Sequence, residues 1–104
     1  DALPIFLNYY RQLTALYRHP LYGNTVRFGD MIPAYRDREN IIAFERRGDK
    51  RLLVVSNFQN RQATLELPTP IKTVLLNNTA GLFHEGDQVL ELTPYQTVVL
   101  ELVE

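Results

Sequence analysis

The sequence predicts a mainly β fold: an antiparallel Greek-key β-sandwich of six to eight short strands preceded by one amphipathic N-terminal α-helix. Apolar residues recur every third and fourth position as far as Tyr17, and every second position after Gly23. That change of period separates a helix stripe from a strand face. Beyond Gly23, β-branched and aromatic residues gather in short runs, and turn-forming residues part them about every ten positions, the rhythm of a sandwich. With 104 residues, 45% of them hydrophobic, the chain has material for one packed core.

The helix rests on Phe6, Tyr9, Tyr10, Leu13, Leu16 and Tyr17, which share a stripe opposite Asn8, Arg11, Gln12, Thr14 and Arg18. It is expected from Ile5 to Arg18, with Pro4 near the first turn and Pro20 and Gly23 ending it. So aromatic a stripe needs an apolar partner larger than a small sheet. The strands are expected at Thr25 to Phe28, Ala34 to Arg36, Asn40 to Arg47, Arg51 to Phe58, Gln62 to Leu67, Ile71 to Asn77, Gln88 to Leu92 and Gln96 to Val103, with no second helix. Gly48-Asp49, Gln59-Asn60, Pro68-Thr69-Pro70, Gly81 and Gly86-Asp87 supply turns between them. In the last strand Val98, Leu100 and Leu102 alternate with Thr97, Val99 and Glu101, which predicts one buried side and one half-wet side. The run Leu52 to Val55 is apolar on both sides, as in a central or doubly covered strand.

Charge and composition exclude several function classes. Eleven basic and 12 acidic residues leave a net charge of -1, with no surplus to neutralise phosphates, so nucleic acid is not an expected partner. No apolar run approaches the ~20 residues that cross a bilayer, and no basic and apolar leader opens the chain, so no membrane partner is expected either. The absence of cysteine removes disulfides and thiolate metal sites and fits a cytoplasmic setting. His19 and His84 stand too far apart in sequence to begin a metal site, so no metal and no cofactor is assigned.

Nothing in the pattern sets up catalysis. Cleaving a glycosidic bond needs two carboxyl groups facing each other across it. Asp30, Asp37 and Glu39 fall in loop-rich sequence, Asp49 and Asp87 in turns, and Glu45, Glu66, Glu91 and Glu101 at outward strand positions. All are expected on the solvated surface. His19 reads as a helix-end residue whose imidazolium would meet the last carbonyls, and Ser56 as a strand residue bonded to backbone. Among aromatic rings that could stack on a saccharide, Phe83 with His84 in the one long loop is the least poor choice.

A series of segments carries a resemblance. Asn8-Tyr9-Tyr10-Arg11-Gln12-Leu13 through Tyr17-Arg18-His19-Pro20 resembles the helix that closes the (β/α)8 barrel in α-glucosidases of the α-amylase superfamily, such as oligo-1,6-glucosidases and trehalose-6-phosphate hydrolases. Tyr22-Gly23, Ile41-Ile42-Ala43-Phe44, Leu52-Leu53-Val54-Val55 with Asn57-Phe58, Leu75-Leu76-Asn77-Asn78, and Leu92 through Pro94-Tyr95-Gln96 to Val99 are similar, in order, to successive parts of the C-terminal β domain of those enzymes. Only Asp1 to Phe6 depart from the pattern. The resemblance implies that residues 1–20 are the last helix of a catalytic barrel and residues 21–104 a C-terminal β-sandwich. It implies a chain that is not an enzyme by itself, whose partner is the barrel of the same parent polypeptide and which meets α-linked oligosaccharide only through that parent. The parent would be a retaining α-glucosidase whose catalytic acids lie upstream, and Phe6, Tyr9, Tyr10, Leu13, Leu16 and Tyr17 would face the barrel. A carbohydrate-binding module and a stand-alone interaction sandwich are the alternatives.

Overall fold

The computed structural model describes residues 2–79 and 83–104, with side chains from residue 7 onward. Helix α1 spans Ala2–Tyr17, with Pro4 in its first turn, and a second helix, α2, spans Gly23–Phe28. Seven strands follow: β1 Asp30–Ala34, β2 Ile41–Arg47, β3 Arg51–Asn57, β4 Ala63–Glu66, β5 Ile71–Asn77, β6 Val89–Leu92 and β7 Thr97–Leu102. They form an antiparallel five-stranded sheet in the order β1-β2-β3-β7-β5 and a two-stranded sheet β4-β6. From β3 onward no strand pairs with its immediate successor, the crossing pattern of a Greek-key sandwich. The expected turn at Gly81 lies outside the described residues.

The large sheet is buried on its inner face and, beneath α1 and Tyr22, on part of its outer face. Leu53 lies opposite Leu100 and Val55 opposite Val98, and this inner face packs on Leu65, Leu90 and Leu92 of the small sheet. All seven are 0 or 1% exposed. The outer face carries Leu52 and Val99, which join Leu16 of α1, Tyr22 and Leu76 in a second cluster. Leu52 to Val55 thus form a central strand covered on both sides, as their composition predicts. The last strand departs from its expected alternation. Val98 to Leu102 are all buried, because α1 and Tyr22 cover the side that a two-layer sandwich would leave half-wet.

Thr25 to Phe28 is helical rather than extended, so the described residues hold two helices where one was expected. Thr25 and Val26 favour strands by propensity, yet the peptide N–H of Val26 donates to the Tyr22 carbonyl at 3.0 Å and that of Gly29 to the Thr25 carbonyl at 2.9 Å. Packing decides the matter. Thr25 is fully buried and its hydroxyl accepts the Lys50 N–H at 3.2 Å, tying α2 to the β2–β3 turn. The strand expected at Ala34 to Arg36 instead ends at Ala34, where Tyr35 enters the left-handed region with φ 51°.

Gly29 is required for space rather than for conformation, since its φ of -67° suits any residue. A Cβ there would stand 2.5 Å from the Thr25 carbonyl oxygen and 2.9 Å from that of Arg47. Both obstacles are backbone. Gly29→Ala is expected to cost about 1–3 kcal/mol, read as a lower urea midpoint at unchanged slope. An unaltered midpoint would show that α2 is not held against β2.

Candidate functional site

The aromatic helix stripe divides between two surroundings. Leu16 is 5% exposed within the outer cluster, and Tyr9 and Leu13 lie partly buried against the same cluster. Tyr10 points away and is 61% exposed, while Tyr17, four residues after Leu13, is 43% exposed at the border between the two sides. With Leu13, Thr14 and Arg18 they line a shallow depression of about 200 Å³. The Phe6 side chain lies outside the described residues. The split follows from helix geometry: Tyr9, Leu13 and Leu16 recur at four and three, whereas Tyr10 sits about 100° round the axis from Tyr9. Gln12 fixes the helix in rotation. Its Nε2 donates to the Asn77 carbonyl at 3.4 Å and its Oε1 accepts the Asn77 N–H at 3.3 Å.

Beyond α1 the outer face is open. Helix α1 packs beside β5, while Met31 of β1 and Ile42 of β2 are 60% and 58% exposed. Register sets Met31 beside Arg46 and Pro33 beside Phe44, so these side chains share that face. Between α1, α2 and the sheet runs a groove of about 210 Å³, floored by Phe44, Leu52, Val54 and Val99 and walled by Tyr9 and Leu13. Arg46 also lines it. A terminal guanidinium nitrogen, Nη2, donates to the Val26 carbonyl at 3.0 Å, and Nε is buried with no acceptor among the described residues.

Two glutamates expected on the surface are buried. Glu45 lies on the inner face, where its Oε1 accepts from Arg47 Nε at 3.1 Å and Arg51 Nε at 2.8 Å. Burial alone would raise the Glu45 carboxyl, but the hydrogen bonds and charges of Arg51 and Arg47 outweigh it and hold the group below the usual carboxylate value. Glu101 lies on the outer face, accepts the Tyr22 hydroxyl at 2.6 Å and has Lys72 Nζ at 3.6 Å. That hydrogen bond, then burial, raises the Tyr22 phenol above its ordinary value. The cations at positions 47, 51 and 72 could have flagged both carboxylates as paired. Since Glu45 pairs with Leu53 and Glu101 with Leu52, they project from opposite faces of one sheet. They cannot flank one glycosidic bond. Asp30, Asp37, Glu39, Asp49, Glu66 and Glu91 are exposed.

The remaining singled-out residues serve packing and turns. Phe83 packs partly buried on the inner core, while His84 is exposed with Nδ1 3.8 Å from Asp87. His19 does not donate to helix carbonyls; its Nδ1 accepts the Leu21 N–H at 3.0 Å. Ser56 bonds the Thr97 hydroxyl at 2.9 Å rather than backbone. Among the described residues no group of three or more His, Asp or Glu could hold a metal ion, and no helix is long and apolar enough to cross a membrane.

The polar residues of the resembling segments meet at one end of the sandwich. Asn57 Nδ2 donates to the carbonyls of Arg61 at 2.9 Å and Thr93 at 3.0 Å. Gln96 is fully buried, donates to Asn77 Oδ1 at 2.8 Å and accepts the Thr93 N–H at 2.9 Å. Asn78 Oδ1 accepts the Thr97 N–H at 2.7 Å. These side chains satisfy buried turn backbone, a structural duty.

Comparison with known proteins agrees with this architecture. The isomaltulose synthase SmuA of Protaminobacter rubrum is 27% identical over 93% of this chain, with a TM-score of 0.80. The isomaltulose synthase PalI of Klebsiella sp. LX3 is 26% identical over 93%, with a TM-score of 0.81. The trehalulose synthase MutB of Pseudomonas mesoacidophila MX-45 has a TM-score of 0.80 over 90% of the chain, and its 22% identity speaks to the fold alone. The chain spans only 17 to 18% of the length of these three proteins. No curated protein matches it. Residues 41–99, more than half of the chain and including strands β2 to β6 in full and the start of β7, match the profile of the α-amylase SusG C-terminal domain, and the chain belongs to that family.

Proposed function

We propose that this chain is the non-catalytic C-terminal β domain of a longer enzyme of the α-amylase superfamily, in which it covers and stabilises a catalytic (β/α)8 barrel. The observation that carries this reading is the contrast between its two sides. The inner face is sealed by the small sheet, whereas Tyr10 and Tyr17 on α1 and Met31 and Ile42 on the sheet leave apolar surface in water. Such a surface marks a missing neighbour. The helix is the hinge of the proposal: Leu16 anchors it to the domain while the opposite side faces the barrel it would close. The parent acts on α-glucosidic bonds of short oligosaccharides, with its catalytic carboxylates on the barrel.

The likeness to isomaltulose synthases favours a second reading of the parent reaction, rearrangement of the sugar rather than hydrolysis. Sucrose separates the two: a hydrolase releases glucose and fructose, an isomerase releases a rearranged disaccharide. For the chain itself the expected result is simpler. The purified 104 residues should not hydrolyse p-nitrophenyl α-glucoside. Measurable turnover would refute the non-catalytic role.

A further inference from the structure

We infer that the loop between β1 and β2, residues 35–40, guards a sheet edge: through the side chains of Tyr35 and Arg38 it closes the free side of β4 to a strand from a second copy of this chain. The inference does not depend on the parent activity proposed above.

The backbone of β4 shows what the loop occupies. The Leu67 N–H donates to the Gln88 carbonyl at 2.8 Å, and the register continues with Leu65 opposite Leu90 and Ala63 opposite Leu92. Hydrogen bonds alternate along an antiparallel strand, so the peptide groups of Thr64 and Glu66 face away from β6. Both of those carbonyls are taken. Arg38 Nη1 donates to the Thr64 carbonyl at 3.0 Å, and the Tyr35 hydroxyl donates to that of Glu66. Side chains thus stand where the N–H groups of another strand would bind.

The loop is shaped for that reach. Tyr35 and Asn40 bracket it, and both have left-handed φ, 51° and 61°. Asparagine enters that region readily, a tyrosine seldom. The turn carries the chain out of β1 and lays the Tyr35 ring against the inner core cluster, with its hydroxyl at the edge of the small sheet. Both ends are fixed. The Arg38 N–H donates to the Tyr35 carbonyl at 3.1 Å, and the Phe58 N–H donates to the Asn40 carbonyl at 2.7 Å.

The strand to be kept out is β6 of another molecule. Among the described residues β6 pairs with β4 alone. The same alternation leaves the peptide groups of Val89 and Glu91 on its open side, and Val89 is 50% exposed. The large sheet offers poorer templates. Pro33, without an N–H, interrupts β1, and β5 has two register shifts with α1 packed beside it. A bared β4 and an open β6 would be complementary edges on opposite sides of one sheet. Their pairing runs head to tail, so it would grow into open chains of molecules rather than closed dimers.

The test uses the full gene product carrying Tyr35→Phe and Arg38→Met, which keep the ring and an apolar stem and remove both donors. Sedimentation at rising concentration is expected to give an average mass several-fold above that of the unaltered protein. Adding Val89→Pro strips an N–H from the open side of β6, leaves its bonds to β4, and should abolish the increase. A mass equal to that of the unaltered protein overturns the inference, and so does growth that Val89→Pro leaves untouched. Hydrogen exchange at the Leu65 amide, which faces β6, separates guarding an edge from holding a strand. Its protection should be unchanged by the double substitution. Loss of that protection would show that the two side chains merely hold β4 in place, and would overturn the inference as well.

Discussion

Leu100→Ala is expected to destabilise the protein by about 2–5 kcal/mol, the range for emptying a fully buried leucine site. Leu100 is 0% exposed in β7, opposite Leu53 of β3 on one side and Val74 of β5 on the other. The strands around it are held by register, so the cavity cannot collapse without breaking pairings on both sides. Against a total stability of about 5–15 kcal/mol, that loss leaves little margin at 37 °C. Guanidinium unfolding should show a much lower midpoint with the same slope. Leu100→Met, which nearly conserves volume, should cost under ~1.5 kcal/mol. If the two variants unfold together, the inner face is not the packed centre of the domain. The expected loss belongs to the sandwich alone, so it should appear equally in the isolated chain and in the longer protein.

Positions such as Leu100 were legible in the sequence because period and composition agreed. Leu52 to Val55 announced a strand covered on both faces, and six of the seven described strands, β2 to β7, fall within two residues of both ends of the expected runs. Legibility failed where a third layer intervened. Thr25 and Val26 looked extended from propensity, and only the buried contact of Thr25 with the Lys50 backbone explains their helix. Glu101 sat at an outward position of a two-layer sandwich, but α1 and Tyr22 turn that side inward. The aromatic stripe of α1 was visible, yet its division into a sheet-facing side at Leu16 and an outward side at Tyr10 depends on where β5 and β7 lie. Arg46 gave no local signal of the groove it lines. That groove comes from Met31 and Phe44 beside it and from the helix across it, which are brought together only by folding.

Glu45 presents the second large expected effect, because two guanidinium groups depend on it. Its side chain is 12% exposed and that of Arg51 16%, so neither is well solvated. Removing the carboxylate leaves Arg51 a nearly buried cation with a hydroxyl of Thr69 3.5 Å away as its other described side-chain partner. Glu45→Ala should therefore cost about 3 kcal/mol at neutral pH, the low end for breaking a buried pair. Arg47 is 49% exposed and can turn to water, so the penalty falls chiefly on Arg51. The pH dependence has a definite sign. Arg51 and Arg47 hold the folded carboxyl below its usual value, so folding favours the ionised form. The stabilisation is complete above the unfolded carboxylate pKa of about 4.3 and is lost as pH falls through the lower folded value. Denaturant titrations from pH 7 down to 3 should show the wild type losing stability along an acid limb that Glu45→Gln flattens. Parallel profiles for the two proteins would show that the carboxylate is not coupled to folding. Glu45→Leu combined with Arg51→Met tests the same pair from the other side: once both charges are gone, apolar packing at the sandwich end should recover most of the stability that Glu45→Ala loses.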